Sequence, residues 1–437
     1  MTLPNIGFIG MTHLGLVSGV SAAEKGFDVI CYDPDKNLIA NINELKLPIS
    51  EPKIENLIRK NSKQIRFTSE CSELKKCDVV FVAPDVATDD NGQSDLLSIN
   101  NLLDIAFSET RPNAVIVILS QVPPGYTRSK QRSGKILYYQ VETLIFGQAV
   151  DRALYPERFI VGSADPKQAI PEYYHSFLKK YDCPLLIMGY ESAELAKISI
   201  NMCLVASVST ANTLAELCEK IGADWSEIIP ALKLDKRIGP YSYLLPGLGI
   251  AGGNLERDLA TVCNFADHHG TDVGVVRAWL LNSKLRKNWA STILRQNLLV
   301  NKKDPLVAIW GLAYKENTHS TKNSPSLATI AQLQDIRLQI YDPVVSWNES
   351  WHSKTKFCRS LIDAIDKVDA LIIMTPWPEF KQICLNEILE RMKGKLIIDP
   401  FSMVKVSDPL NFDVDLYTLG RPPIKHLMNS TKLQKNA

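Results

Sequence analysis

Three groups of residues in this 437-residue chain have the types and spacings that chemistry needs. Lys197 and Asn201 lie four apart in a stretch, Glu191 to Ile221, whose apolar spacing predicts a long helix. That interval puts an ammonium and a carboxamide on one face, where both can donate to one developing oxyanion. Taken alone, such a pair reads more readily as a solvated helix face. Gly10, Thr12, Gly15 and Asp33 follow the order of a dinucleotide site. Gly247, Gly249, Gly252 and Gly253 lead to Asn254 and Asp258, and glycines in such a loop let backbone amides face a phosphate or a sugar.

The second group needs a strand, a turn, a helix and a second strand. Ile6 to Ile9 is a short apolar run ending at Gly10, a helical pattern runs to Ala23, and Val29 to Tyr32 predicts a strand ending at Asp33. Gly10 permits the tight turn, while Gly15 and Gly19 allow close packing of helix on sheet. Asp33 stands 23 residues after Gly10, where a carboxylate accepts both hydroxyls of an adenine ribose and repels a 2′-phosphate, so NAD is favoured over NADP. Thr12 replaces the second glycine of the motif; its hydroxyl can donate to a phosphate oxygen, but its methyl group takes space. The alternative is a domain kept as scaffold with a weakened site. Further strands are predicted at Val79–Ala83, Ala114–Leu119, Val307–Trp310, Ile340–Tyr341 and Ala370–Thr375.

Composition narrows the partners. With 49 basic and 48 acidic residues, nothing favours bulk attraction to nucleic acid or to an anionic membrane. No apolar run is expected to reach the length of a membrane span. Pro4 and Asn5 lead directly into a strand pattern without a signal-peptide pattern, and the nine cysteines are scattered with no Cys-x-x-Cys pair. Reduced thiols in the cytoplasm are the expectation, with no metal site.

Read along its length, the chain resembles the UDP-glucose/GDP-mannose dehydrogenase family from about residue 4 to 422. Gly249-Ile-Ala-Gly-Gly-Asn-Leu-Glu-Arg-Asp258 resembles that family's active-site loop, usually Gly-x-Gly-Gly-Ser-Cys-Phe-Pro-Lys-Asp. The final acid, Asp258, is kept; Asn254 stands at the nucleophilic cysteine. Lys197 and Asn201 fall on the family's catalytic Lys-x-x-x-Asn. Arg237, in Asp235-Lys-Arg-Ile-Gly-Pro240, falls on the arginine that crosses a dimer interface to the substrate. Lys315, in Gly311-Leu-Ala-Tyr-Lys315, falls on the lysine expected near the sugar nucleotide. Glu142 keeps the first glutamate of the family's Asn-Pro-Glu-Phe-Leu-Arg-Glu-Gly, but Phe146 replaces the second. In Ser120-Gln-Val-Pro-Pro-Gly125, Gln121 replaces a threonine that helps hold the catalytic water beside the cofactor. Val86, in Pro84-Asp-Val-Ala87, replaces a hydroxyl donor, Lys322 replaces an arginine, and Phe401 follows Pro400 where the family has another.

The resemblance implies an α/β protein with two Rossmann-like, doubly wound parallel-sheet domains joined by a central long-helix dimerisation domain. The expected divisions are 1–190 for NAD, 191–300 for the helical domain and 301–437 for the nucleotide sugar. It also implies a homodimer or a multiple of it, NAD as cofactor, and a UDP- or GDP-linked sugar as substrate. Catalytic roles fall to Lys197, Asn201, Asp258, Glu142 and the altered Asn254. Cofactor contacts fall to Gly10, Thr12, Gly15, Asp33 and Gln121. Substrate contacts fall to Glu142, Lys197, Asn201, Arg237, Gly249, Gly252 and Lys315. A carboxamide cannot capture an aldehyde as a thiohemiacetal. The leading expectation is therefore altered chemistry, a two-electron oxidation or an epimerisation. The rivals are a non-catalytic sugar-nucleotide-binding homologue, and a conventional four-electron enzyme with a relocated thiol such as Cys263.

Overall fold

The computed structural model describes residues 3–87, 89, 94–405 and 413–425. Two compact units divide the chain at Ile200 and Asn201, inside the helix Tyr190–Ile221.

The first unit is built on eight strands: β1 Ile6–Ile9, β2 Val29–Tyr32, β3 Ile65–Thr68, β4 Val79–Val82, β5 Val115–Ile118, β6 Ile136–Gln140, β7 Phe159–Ser163 and β8 Leu185–Gly189. Their order is β3-β2-β1-β4-β5-β6-β7-β8. β1, β4 and β5 are buried on both faces, as continuous Val/Ile runs require of strands covered by helices on both sides. The chain order reverses between β1 and β4, which opens the crevice used by ligands in such sheets. The expected parallel sheet is interrupted once: β6 and β7 pair antiparallel, Tyr139 opposite Gly162 and Gln140 opposite Val161. The helix His13–Glu24 packs close against the sheet because Gly19 faces it. A Cβ on Gly19 would lie 2.6 Å from the Cys31 sulfur.

The second unit holds the remainder of the long helix, the helices Trp225–Leu234, Asn254–His269 and Gly274–Lys287, and a six-stranded sheet. Its strands are β9 Leu306–Trp310, β10 Arg337–Tyr341, β11 Thr355–Phe357, β12 Ala370–Ile373, β13 Leu396–Ile398 and β14 Asp415–Tyr417. The order is β11-β10-β9-β12-β13-β14, with every pairing parallel. This sheet repeats the local design of the first. Gly10 and Gly311 follow β1 and β9 with φ of 94° and 95°, and their amides donate to Tyr32 O and Tyr341 O. Asp33 and Asp342, at the ends of β2 and β10, then accept the next amide, Met11 N–H at 2.8 Å and Leu312 N–H at 2.7 Å.

The long helix corrects one expectation. By length and composition it is apolar enough to cross a membrane. No charged residue falls between Lys197 and Glu216, and the polar Ser, Thr and Asn residues in that interval hid the run. Some of those polar groups are packed inside the protein. Asn201 and Asn212 are buried and bonded, the latter accepting from Gly247 N–H at 2.8 Å. Towards the other end of the chain, Ile424 pairs with Leu416; residues from 426 on lie outside those described.

Candidate functional site

At the switch point of the first sheet, each sequence-predicted cofactor residue has a local physical reason. A Cβ on Gly10 would stand 2.9 Å from Pro84 N, and one on Gly15 would stand 1.9 Å from Gly10 O. Only glycine lets the turn and the helix start come this close. Asp33 is buried, with one oxygen accepting from Met11 N–H and the other from Asp35 N–H at 3.0 Å. A carboxylate has about four acceptor positions, so two remain for ribose hydroxyls. Asp342 differs: its oxygens accept from Leu312, Ala313, Val344, Val345 and the Trp377 indole, and it is saturated. These features fit the adenosine end of a dinucleotide in the first unit and give Asp342 a purely architectural part.

Thr12 uses its hydroxyl oxygen as an acceptor, which leaves its O–H able to donate. Its Oγ accepts the Asp85 amide at 2.8 Å, while the Asp85 carboxylate accepts His13 N–H at 3.0 Å. Ser120, at the end of β5, donates to Pro84 O at 2.5 Å and ties β5 to the same loop; Gln121 follows, partly exposed. His13 Nε2 lies 2.9 Å from Glu51 Oε1, and Glu51 also accepts Gly147 N–H at 2.8 Å and Ala149 N–H at 3.3 Å. The Phe146 ring packs against the His13 ring at a 33° tilt with centroids 4.2 Å apart, so an apolar ring borders this histidine. Sequence reasoning missed Asp85 and Glu51. Asp85 lay within a loop already singled out, and a carboxylate directly after a strand of the switch point was the available signal.

Glu142 follows β6. One of its oxygens is bonded by Leu144 N–H and the other lies 3.6 Å from Lys197 Nζ, both side chains being largely buried. Lys197 therefore carries a carboxylate partner that orients its ammonium. One helical turn on, in the second unit, Asn201 Nδ2 donates to Asp258 Oδ2 at 2.5 Å. Asp258 is 1% exposed, and Arg257 Nε donates to its other oxygen at 3.1 Å.

Asn254 is the first residue of the helix Asn254–His269 and is exposed. The loop before it is held from several sides. Ile250 N–H donates to Ser283 Oγ at 2.8 Å, Gly252 N–H to Lys322 O at 3.0 Å, and Asn323 Nδ2 to Gly252 O at 2.7 Å. The glycines thus serve close packing more than outward-facing amides. A Cβ on Gly249, at φ 88°, would lie 2.5 Å from Ser283 O, and one on Gly252 would lie 3.2 Å from the Tyr314 ring. Gly247 and Gly252 spend their amides on Asn212 and Lys322. Lysines border the loop, among them Lys322, whose Nζ would be 3.3 Å from a Cβ on Gly253, and Lys315, 5.8 Å from the centre of the Tyr314 ring that packs on Gly252. Arg237 is elsewhere on the surface, with a side chain 89% exposed and paired to Asp235 at 2.6 Å.

Cys263 lies nine residues beyond Asn254 on the same helix, a rise of about 13 Å. Burial pushes its thiol pKa up, which keeps it protonated at neutral pH. All nine cysteines are free. Among the described residues no group of three or more His, Cys, Asp or Glu side chains could hold a metal ion.

Comparison with known proteins agrees with this geometry. Residues 4–179, 191–283 and 308–406 match, in turn, the NAD binding, central and UDP binding domains of the UDP-glucose/GDP-mannose dehydrogenase family. A UDP-glucose 6-dehydrogenase of Rickettsia conorii is 30% identical over 415 residues, covering 90% of this chain and 94% of that one. A UDP-glucose 6-dehydrogenase of Bacillus subtilis is 28% identical, covering 98% and 96%. In fold the chain is similar to a UDP-glucose dehydrogenase of Pyrobaculum islandicum, with a TM-score of 0.79 at 24% identity over 91% of this chain and 94% of that one. Two Rossmann-like sheets, an NAD-type crevice and a matching central segment make this chain a member of the UDP-glucose/GDP-mannose dehydrogenase family, an NAD-dependent nucleotide-sugar dehydrogenase by descent.

Proposed function

We propose that this chain is an NAD-dependent oxidoreductase of a UDP-linked sugar whose chemistry stops at two electrons or returns the hydride to epimerise the sugar. The observation that carries this reading is the exposed carboxamide of Asn254 at the start of its helix, with the Cys263 thiol about 13 Å along the same helix and held protonated. An aldehyde formed here has no thiolate to trap it.

NAD, bound along Gly10, Gly15 and Asp33, supplies the hydride acceptor. The protein supplies the rest. Lys197 places its ammonium on the alkoxide that forms as the sugar hydroxyl gives up its proton and becomes a carbonyl as hydride leaves, and Glu142 orients that ammonium. The hydroxyl proton passes to Glu142, whose second oxygen lies 3.6 Å from Lys197 Nζ, beyond hydrogen-bond distance, and keeps its acceptor positions. Asp258 fixes which way the Asn201 amide points. Gln121 and Phe146 leave no residue at their positions to activate a hydrolytic water.

Lys315 and Lys322, beside the glycine loop, are suited to the diphosphate of the sugar nucleotide. Arg237, exposed and paired with its neighbour Asp235, is available to a second copy of the chain. Leu214, Leu217 and Ile221 form an exposed apolar stripe at helical spacing, which supports a homodimer, and nine free thiols support a cytoplasmic setting. Incubation with NAD and a mixture of UDP-, GDP- and dTDP-sugars, read by mass spectrometry, tests the proposal. A UDP-sugar two mass units lighter, or an isomer of equal mass, is expected. A uronic acid product contradicts it, and no change in any sugar favours the non-catalytic rival.

A further inference from the structure

The Asp85 carboxylate occupies the N-terminus of the first helix. In a sheet of this order the phosphates rest on the first helix's N-terminus, where unpaired amides and the helix dipole favour an anion. Here the chain provides that anion itself. The Asp85 carboxylate takes the first helical amide, His13 N–H, at 3.0 Å, and the Asp85 amide donates to Thr12 Oγ at 2.8 Å. The two bonds form a reciprocal bracket between the turn after β1 and the end of β4, 72 and 73 residues apart in sequence. One partner lies within the glycine-rich motif and the other in the loop that faces it. Thr12 stands at the motif's second glycine, whose usual part is to let the backbone approach the pyrophosphate.

We infer that Asp85 is a resident competitor for the pyrophosphate, so that NAD binds only as Asp85 leaves the helix. A phosphate and a carboxylate cannot share one amide, and two anions at that separation repel. The apparent dissociation constant for NAD is then raised by the fraction of molecules in which Asp85 is docked. The adenosine end is untouched, because Asp33 makes its bonds to Met11 and Asp35 independently of Asp85. Asp85 thus sets dinucleotide affinity without being a binding residue for it. The inference rests on the NAD reading of the first unit.

Calorimetry of NAD, ADP-ribose and adenosine against the full-length protein and its Asp85→Gly and Asp85→Asn variants tests it, with thermal melting to confirm folding. Asp85→Gly should tighten NAD and ADP-ribose at least tenfold. Asp85→Asn, which removes the charge but keeps a hydrogen-bonding side chain, should tighten them less, and adenosine affinity should stay the same. Equal or weaker ADP-ribose binding in both variants overturns the inference and leaves the NAD reading standing, with Asp85 a plain helix cap. Tightening of adenosine to the same degree also overturns it. No binding of NAD or ADP-ribose by any of the three proteins overturns both.

Discussion

The Asn201 carboxamide donates to the buried Asp258 carboxylate at 2.5 Å, and Arg257 holds the other oxygen of that carboxylate at 3.1 Å. An acid engaged on both oxygens and 1% exposed is poorly placed to act as a base. Its consequence is orientation: it fixes which way the Asn201 amide points, one turn along the helix from Lys197.

Removing that carboxylate should therefore act on stability and on chemistry together. Asp258→Ala takes away the charge that offsets the 11% exposed Arg257 side chain, and breaking such a buried pair costs about 3 kcal/mol. Urea denaturation should show a loss of that order. A change within about 0.5 kcal/mol, the range of ordinary surface substitutions, would mean the pair is structurally idle.

Asp33 should govern the choice of dinucleotide. Its two unused acceptor positions suit ribose hydroxyls and oppose a 2′-phosphate. The unmodified protein should bind NAD at least tenfold more tightly than NADP, and Asp33→Ala should weaken NAD while narrowing that gap. Equal affinities before mutation would remove Asp33 from the cofactor site.

Gly15→Ala should be a more damaging change than its size suggests. The added Cβ would lie 1.9 Å from Gly10 O, so either the helix or the turn must shift. Overpacking of this kind costs about 1–3 kcal/mol, and NAD affinity should fall with it because the same turn receives the dinucleotide. Unchanged thermal stability and NAD binding would show that the helix start is more adaptable than the structure indicates.

The Cys263 thiol offers a direct check on the relocated-nucleophile rival. Burial raises its pKa, so the thiolate is scarce at neutral pH and grows only as pH rises through that raised value. Alkylation at this position should be slow near pH 7 and accelerate continuously into the alkaline range, and Cys263→Ala should retain turnover. Abolished turnover in Cys263→Ala with the fold intact would restore that rival.

Much of this arrangement was legible in the residues. β1, β2, β4, β5 and the long helix follow from apolar period and punctuation, and Gly10, Gly15 and Asp33 from a motif whose geometry is nearly fixed by sterics. What escaped depends on contacts far apart in sequence. The antiparallel β6–β7 pairing has no local signature, since a strand's pattern states which residues are buried and not which way its neighbour runs. Asp85 on His13, Glu51 beneath Gly147 and Asn201 on Asp258 span 72, 96 and 57 residues. The glycines around Asn254 were legible as special, but their reason, close approach to Ser283 and Tyr314, required the packed structure.

What Asn254 permits is measured most directly by the number of reducing equivalents per sugar. With a UDP-sugar substrate and excess NAD, at most one NADH should form per sugar consumed, or none in net if the hydride is returned, with no enzyme-bound sugar adduct in intact-protein mass spectrometry. Lys197→Ala should suppress either outcome, and Asn254→Cys alone should not raise the ratio, because Gln121 and Phe146 still lack the groups that activate water. Two NADH per sugar with a carboxylate product in the unmodified protein would contradict the account.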